Sequence, residues 1–194
     1  MAWGWRGTRG ARGAVAAAAS VAASVAVAVA VAALTSCGDA PARGGVVAVG
    51  QPAPAYAAQR LDGTPVTLAE QRDNVVMLNV WATWCKPCRE EIPALDSLHR
   101  EFGARGLRIV GVSIDVSSDT AMIAGFAREL GASYELWLDP DDRASFTFRA
   151  LGVPSTHLVD RAGTLRWRHM GPVRASDAGL RALLDSVLSE PSGR

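Results

Sequence analysis

Cysteine is scarce in this chain: there are three in 194 residues, Cys37, Cys85 and Cys88. A secreted scaffold stapled by disulfides would carry more of them, spread along the sequence. Histidine is equally scarce. His99, His157 and His169 are scattered without ligand spacing, so a zinc site built on the cysteine pair lacks its two further ligands. All three histidines read as surface or satisfied core residues. Lysine is almost missing, Lys86 being the only one among 20 basic residues. Neither sign of charge dominates, since 20 bases face 19 acids for a net +1. A nucleic-acid binder would need a clearly basic domain, and none is present. The 49% hydrophobic content also excludes an acidic, aromatic-poor disordered chain and allows one domain plus something extra.

The first 36 residues lack any acid but hold Arg6, Arg9 and Arg12. Over residues 37–194 this leaves 17 bases against 19 acids, which is near neutrality. Behind the arginines, residues 14–34 form an apolar run interrupted only by Ser20 and Ser24. Basic residues before an apolar stretch read as an export signal. Leu34-Thr35-Ser36-Cys37 looks like a bacterial lipobox, a signal in which the cysteine is lipidated and the leader is cut just before it. The expectation is a leader over 1–36, lipidation at Cys37 and stable anchoring by the acyl chains. The same stretch also allows an uncleaved spanning helix, or a cleaved secretory signal with Cys37 an ordinary thiol. Each reading sends the domain outward, and the two membrane-anchored ones hold it on the outer face of the cytoplasmic membrane or in the periplasm. Residues 37–50, rich in Gly, Ala and Pro, read as a flexible tether.

The remainder, 51–190 with a short tail at 191–194, patterns as one α/β domain. Tyr56–Leu61 and Pro65–Leu68 flank the turn signal Asp62-Gly63 and predict a hairpin. Asn74–Trp81 and Leu107–Ile114 are continuous β-branched and apolar runs that predict buried strands. Between them a helix is predicted from Lys86 to Ala104, with Ile92, Leu95, Leu98 and Phe102 on one face and a kink at Pro93. Ser118 or Asp119 caps a helix ending at Leu130-Gly131, Glu135–Leu138 is a short strand, and Asp141–Ala150 a short helix. Thr156–Val159 and Leu165–Met170 make a second hairpin. Ser176 is the expected cap of a last amphipathic helix, and Pro191 ends it.

The chemistry concentrates at Trp84-Cys85-Lys86-Pro87-Cys88, on the step from a buried strand into a helix. Unpaired N–H groups and the positive end of the helix dipole stabilise a thiolate there. Cys85, first in the turn, is the expected exposed nucleophile, and Cys88, one turn inside, the shielded resolving thiol. Lys86 between them favours the thiolate or is simply solvated, while Trp84 either offers an apolar edge or packs at the strand end. At about 100° per residue, Glu91 lies about 60° from Cys88 and Glu90 about 160° away. Glu91 therefore flanks the buried face, where desolvation would make it a usable acid/base near neutral pH.

These residues resemble thioredoxin-fold proteins, specifically the TlpA/ResA-like membrane-anchored thiol–disulfide oxidoreductases. The resemblance covers about Gln51 to Ser189. It rests on Trp-Cys-Lys-Pro-Cys, on Asn79-Val80-Trp81-Ala82-Thr83 before it, on Val153-Pro154-Ser155-Thr156, on the N-terminal hairpin and on the helix–strand insertion over 119–138. It implies a thioredoxin-like α/β fold, with a mixed central sheet flanked by helices. Pro154 matches the cis-proline facing the disulfide, where backbone pairs with a bound substrate strand. Asn79 stands where ordinary thioredoxins keep a buried aspartate, a departure the TlpA/ResA-like group shares. Glu91 matches the acid that group carries three residues past the second cysteine.

The implied reaction is thiol–disulfide exchange between the Cys85–Cys88 pair and protein thiols or disulfides, with no cofactor. Lys-Pro between the cysteines lacks the histidine of some strongly oxidising relatives, so a reductant is expected. Relatives of this kind reduce apocytochrome c haem-attachment cysteines or the thiols of oxidase copper sites, and a membrane electron donor re-reduces them. Two rivals remain at this level. A peroxiredoxin shares the fold but needs Pro-x-x-x-Thr-x-x-Cys, and Leu78 and Ala82 stand in those places before Cys85. A copper-delivery protein would use Cys85, Cys88 and His157, although such carriers usually space their cysteines more widely.

Overall fold

The structure is a computed structural model that describes residues 1–4, 47–117 and 119–191. The expected leader, Cys37, most of the tether, Ser118 and residues 192–194 lie outside the described residues. The fold is that of the unit Gly44–Arg194. Among the described residues no helix is long and apolar enough to cross a membrane.

Among the described residues seven strands form one mixed sheet in the order β2-β1-β5-β4-β3-β6-β7. Its centre is β3 (Val75–Trp81) and β4 (Leu107–Ser113), parallel to each other and buried almost throughout. Burial on both faces is why their sequences read as continuous apolar runs rather than alternating ones. On one side β5 (Glu135–Leu138) continues parallel to β4, followed by the antiparallel hairpin β1 (Ala57–Arg60) and β2 (Pro65–Thr67). On the other side β6 (Ser155–Val159) and β7 (Leu165–Met170) add antiparallel. The predicted fold class is the observed one.

Helices cover both faces. Along β3 the alternate residues Val76, Leu78 and Val80 join a cluster with Tyr56, Val66, Ile123, Ala127 and Phe148. Val75 and Met77 point the other way, to Leu95, Leu98, Phe102, Leu180, Leu184 and Val187. The latter come from α1 (Lys86–Phe102) and α4 (Ala178–Ser189), while Ile123 and Ala127 belong to α2 (Thr120–Glu129) and Phe148 to α3 (Arg143–Phe148). Pro93 sits inside α1, which runs through it as one element and tightens into a 3₁₀ turn over Gly103–Arg105.

Three local expectations are corrected. The cap of α4 is Asp177, not Ser176: its Oδ1 accepts from the Leu180 N–H at 2.9 Å, and its charge faces the positive end of the helix dipole. The helix expected over 141–150 is shorter because Asp142 (φ 50°) and Arg149 (φ 55°) are both left-handed and close it at each end. The strand expected to reach Leu68 stops at Thr67, which forms a capping box with Glu70 and opens a 3₁₀ turn over Leu68–Gln71.

Candidate active site

Cys85 is the N-cap of α1, and its Sγ accepts from the Cys88 N–H at 3.2 Å. Pro87 falls in the first turn, where its missing N–H leaves nothing unpaired. Cys85 and Cys88 form a disulfide with their Cα atoms 5.3 Å apart. The expectation that Cys85 is exposed needs correction: it is 5% exposed and Cys88 fully buried. The cap geometry folds Sγ inward over the first turn. The exposed group is Trp84, at 65%, so the reading in which it packs at the strand end does not hold.

The turn before Cys85 is clamped by residues that sequence reasoning missed. The Asp115 carboxylate accepts from the Thr83 N–H (3.0 Å), the Thr83 hydroxyl (2.6 Å) and the Ser113 hydroxyl (2.7 Å). From inside α1, Arg89 donates through Nε and Nη2 to the Thr83 carbonyl at 3.2 and 3.1 Å. Both backbone groups of Thr83 are thus held, one by the end of β4 and one by the helix it leads into. No motif marks Asp115, 30 residues past Cys85, and only the parallel β3–β4 register brings it there. Asp115→Ala is expected to lower unfolding stability by about 2 kcal/mol in urea titration, the penalty for leaving buried donors unpaired. An unchanged midpoint would mean that the clamp is idle.

Glu91 lies one turn beyond Cys88 on α1 and is 1% exposed. Its Oε1 accepts from Asn79 Nδ2 at 2.8 Å and its Oε2 from the Val173 N–H at 2.8 Å. Burial pushes its pKa up from 4.5 to about 7, and the two N–H donors only partly offset that. Glu90 is exposed, as the helical geometry requires. Asn79 alternates with Leu78 and Val80 and so faces α1, where its Nδ2 also donates to Thr156 Oγ1 at 3.0 Å.

The Val153–Pro154 peptide is cis. Ser155 pairs with Val80, so Pro154 lies level with the end of β3, from which the chain turns into Cys85. The Pro154 carbonyl accepts from the Gly171 N–H at 2.9 Å. The structure thus brings Cys85, Cys88, Glu91 and Pro154 to one end of the sheet.

His157 is brought elsewhere. It packs against Phe148 with ring centroids 4.6 Å apart, and neither ring nitrogen has a partner among the described residues. It is therefore buried but not satisfied, which corrects its reading as a satisfied core residue. The same holds for Nδ1 of His99. His169 is exposed and stacks on Trp167. Among the described residues no three His, Cys, Asp or Glu side chains group to hold a metal ion, so the copper-ligand reading of His157 has no geometry behind it. Burial, with Arg168 nearby, pushes the His157 pKa down to about 4. The neutral ring's share of stability is thus present above pH 6.5 and lost as the pH falls through 4. Relative to the wild type, His157→Leu is expected to gain about 3 kcal/mol of stability as the pH falls from 7 to 4, read by chemical denaturation of both proteins. If the variant keeps the wild-type profile, His157 is not the group responsible.

A profile of the AhpC/TSA family matches residues 49–168. The chain is 31% identical over 141 residues to the thiol-disulfide oxidoreductase ResA of Geobacillus thermodenitrificans, covering 73% of this chain and 79% of that one. The chain belongs to the AhpC/TSA family, among its ResA-like thiol–disulfide oxidoreductases. It is also 38% identical over 127 residues to the thiol:disulfide interchange protein HelX of Rhodobacter capsulatus, covering 64% of this chain and 69% of that one. Among solved structures, a DsbE-type thiol:disulfide interchange protein from Chlorobium tepidum superimposes with a TM-score of 0.66 at 28% identity, over 73% of this chain and 99% of that one. This ResA-like chain is thus an enzyme of thiol–disulfide exchange on a thioredoxin-like fold.

Proposed function

We propose that this protein is a membrane-tethered reductant of protein disulfides, with Cys85 the nucleophile, Cys88 the resolving thiol, Glu91 the acid/base and Pro154 the docking point for a substrate strand. The observation that carries this reading is a carboxyl buried one turn behind Cys88 and held by Asn79 and the Val173 N–H, where burial raises its pKa. In the reduced enzyme the Cys85 thiolate, stabilised at the start of α1, attacks a substrate disulfide. A Cys85–substrate bond forms as the substrate S–S bond breaks, and one substrate sulfur leaves as thiolate. Cys88 then passes its proton to Glu91 and attacks Cys85 Sγ. The second substrate sulfur leaves, and the enzyme ends with the Cys85–Cys88 disulfide. Two electrons have moved from the enzyme dithiol to the substrate.

The finer assignments belong to the same proposal. Residues 1–36 are a leader, Cys37 carries the lipid, 37–50 is a tether, 51–190 is the catalytic domain and 191–194 a tail. The protein works on the outer face of the cytoplasmic membrane or in the periplasm. Its substrates are cysteine pairs of unfolded or metal-free proteins, such as apocytochrome c or copper-site thiols, and a membrane protein supplies its electrons. The test of direction is the reduction potential against glutathione and dithiothreitol. A value at or below about −270 mV fits a reductant, whereas one near about −120 mV would make the protein a disulfide donor.

A further inference from the structure

Four hydrogen bonds close a ring that joins the buried acid to the segment around Pro154. From Glu91 Oε1 it runs to Asn79 Nδ2 (2.8 Å) and on to Thr156 Oγ1 (3.0 Å). Along β6 it reaches Pro154, whose carbonyl takes the Gly171 N–H (2.9 Å). Two residues later the Val173 N–H returns to Glu91 Oε2 at 2.8 Å. Gly171 has φ 101°, in the left-handed region, and this lets the chain turn from β7 back toward α1.

We propose that Asn79 is a positioning residue that ties the carboxyl of Glu91 to the Pro154 segment, so that the acid and the docking strand respond to each other. The proposal rests on the reading of Glu91 as acid/base. Asn79 is fully buried, and Nδ2 donates both to a carboxylate oxygen and to a hydroxyl oxygen. With Glu91 ionised the amide is held in this orientation, because turning it over would set Oδ1 against a carboxylate oxygen. Glutamate has three side-chain torsions and would otherwise sample several positions. Here β3 holds one oxygen and the β7–α4 connection holds the other. Thr156 touches Asn79 and has no hydrogen bond to Glu91. A disturbance at β6 thus reaches the acid through the amide, and by linkage the charge on Glu91 acts back on β6 equally.

The other titratable groups near the acid do not substitute for this tie. Tyr134, from the segment before β5, is pushed up by burial and by Glu91 itself and stays neutral. Asp96 on the same helix is engaged by Ser133 and Arg100. Cys88 is held in the disulfide.

The experiment is a carbon-13 titration of the Glu91 side-chain carboxyl in the oxidised full-length protein, assigned with Glu91→Gln. Asn79→Leu removes the donor and is expected to raise the midpoint by about one pH unit. Thr156→Val keeps the shape and is expected to raise it by about 0.3 unit, and by nothing further when combined with Asn79→Leu. An unmoved midpoint in Asn79→Leu, or equal Thr156→Val shifts in both backgrounds, overturns the proposal. Should Asn79→Leu fail to fold, Asn79→Ser, smaller and still polar, takes its place in both comparisons, since β6 also reaches Glu91 through Pro154, Gly171 and Val173. Exchange rates on the same samples separate the two readings. Rates that ignore the wild-type Glu91 midpoint sink the acid/base role and leave the tie, whereas an unmoved midpoint in the variants does the reverse.

Discussion

Replacing Cys88 with alanine is expected to turn the enzyme into a trap. Cys85 keeps its place as N-cap of α1, so its thiolate still attacks a substrate disulfide. Nothing then resolves the product, and the mixed disulfide accumulates to about one per chain while turnover falls on the order of 10⁴-fold. Non-reducing electrophoresis and intact-mass measurement read this directly, and the trapped proteins identify the substrates. Cys85→Ala is expected to lose turnover equally and to trap nothing, because Cys88 is fully buried. Adducts forming on Cys88 at a comparable rate in that variant would reverse the assignment of nucleophile and resolving thiol.

The second large effect is the pH dependence set by Glu91. With Glu91 in its proposed role, Cys88 gives up its proton to the ionised carboxylate, so the resolution rate should rise with pH and level off above about 7. Glu91→Gln is expected to lose that inflection and to slow resolution by about 10²-fold or more. Stability moves the opposite way. The folded pKa is about 7 against 4.5 for the free side chain, so the folded state holds an extra proton between those values. Glu91 therefore contributes fully below pH 4.5, and its contribution is lost as the pH rises through 7, in total about 3 kcal/mol. His157 has the opposite sign, with a folded pKa of about 4 against 6.5. Between pH 4.5 and 6.5 the two slopes cancel, and the wild type should be nearly flat. Glu91→Gln should uncover stability rising with pH, and His157→Leu stability falling with pH. Denaturation curves of the three proteins across that range test both signs. A flat profile in all three would mean that neither buried group titrates as its surroundings dictate.

The fold was legible because its determinants are local and repeated. Val75–Trp81 and Leu107–Ser113 are buried almost throughout, and runs so largely apolar and β-branched have few other stable arrangements. The cysteine pair announced itself through spacing at a strand-to-helix step. Glu91 was legible because helical geometry fixes which of two adjacent glutamates turns inward. Errors arose where two neighbours offer the same chemistry, as Ser176 and Asp177 do, or where a left-handed residue ends a helix without glycine, as at Arg149. Cys85 was misjudged for a different reason. A cap position faces solvent on average, but this side chain is drawn back onto its own helix.

By itself the sequence determined the sheet's central strands, the helix that carries the cysteine pair, and which of two adjacent glutamates on that helix turns inward. Periodicity and spacing are properties of neighbouring residues, so they survive without coordinates. Tertiary structure alone decided what surrounds those residues. Asp115 reaches Thr83 across parallel strands, and Asn79 reaches Thr156, 77 residues on, across antiparallel ones. Val173 returns from beyond β7 to meet Glu91. His157 ends stacked on Phe148, where no third His, Cys, Asp or Glu among the described residues groups with it to hold a metal. Each of these contacts depends on register between distant segments. Register is settled by how the whole core packs, and no local pattern encodes it.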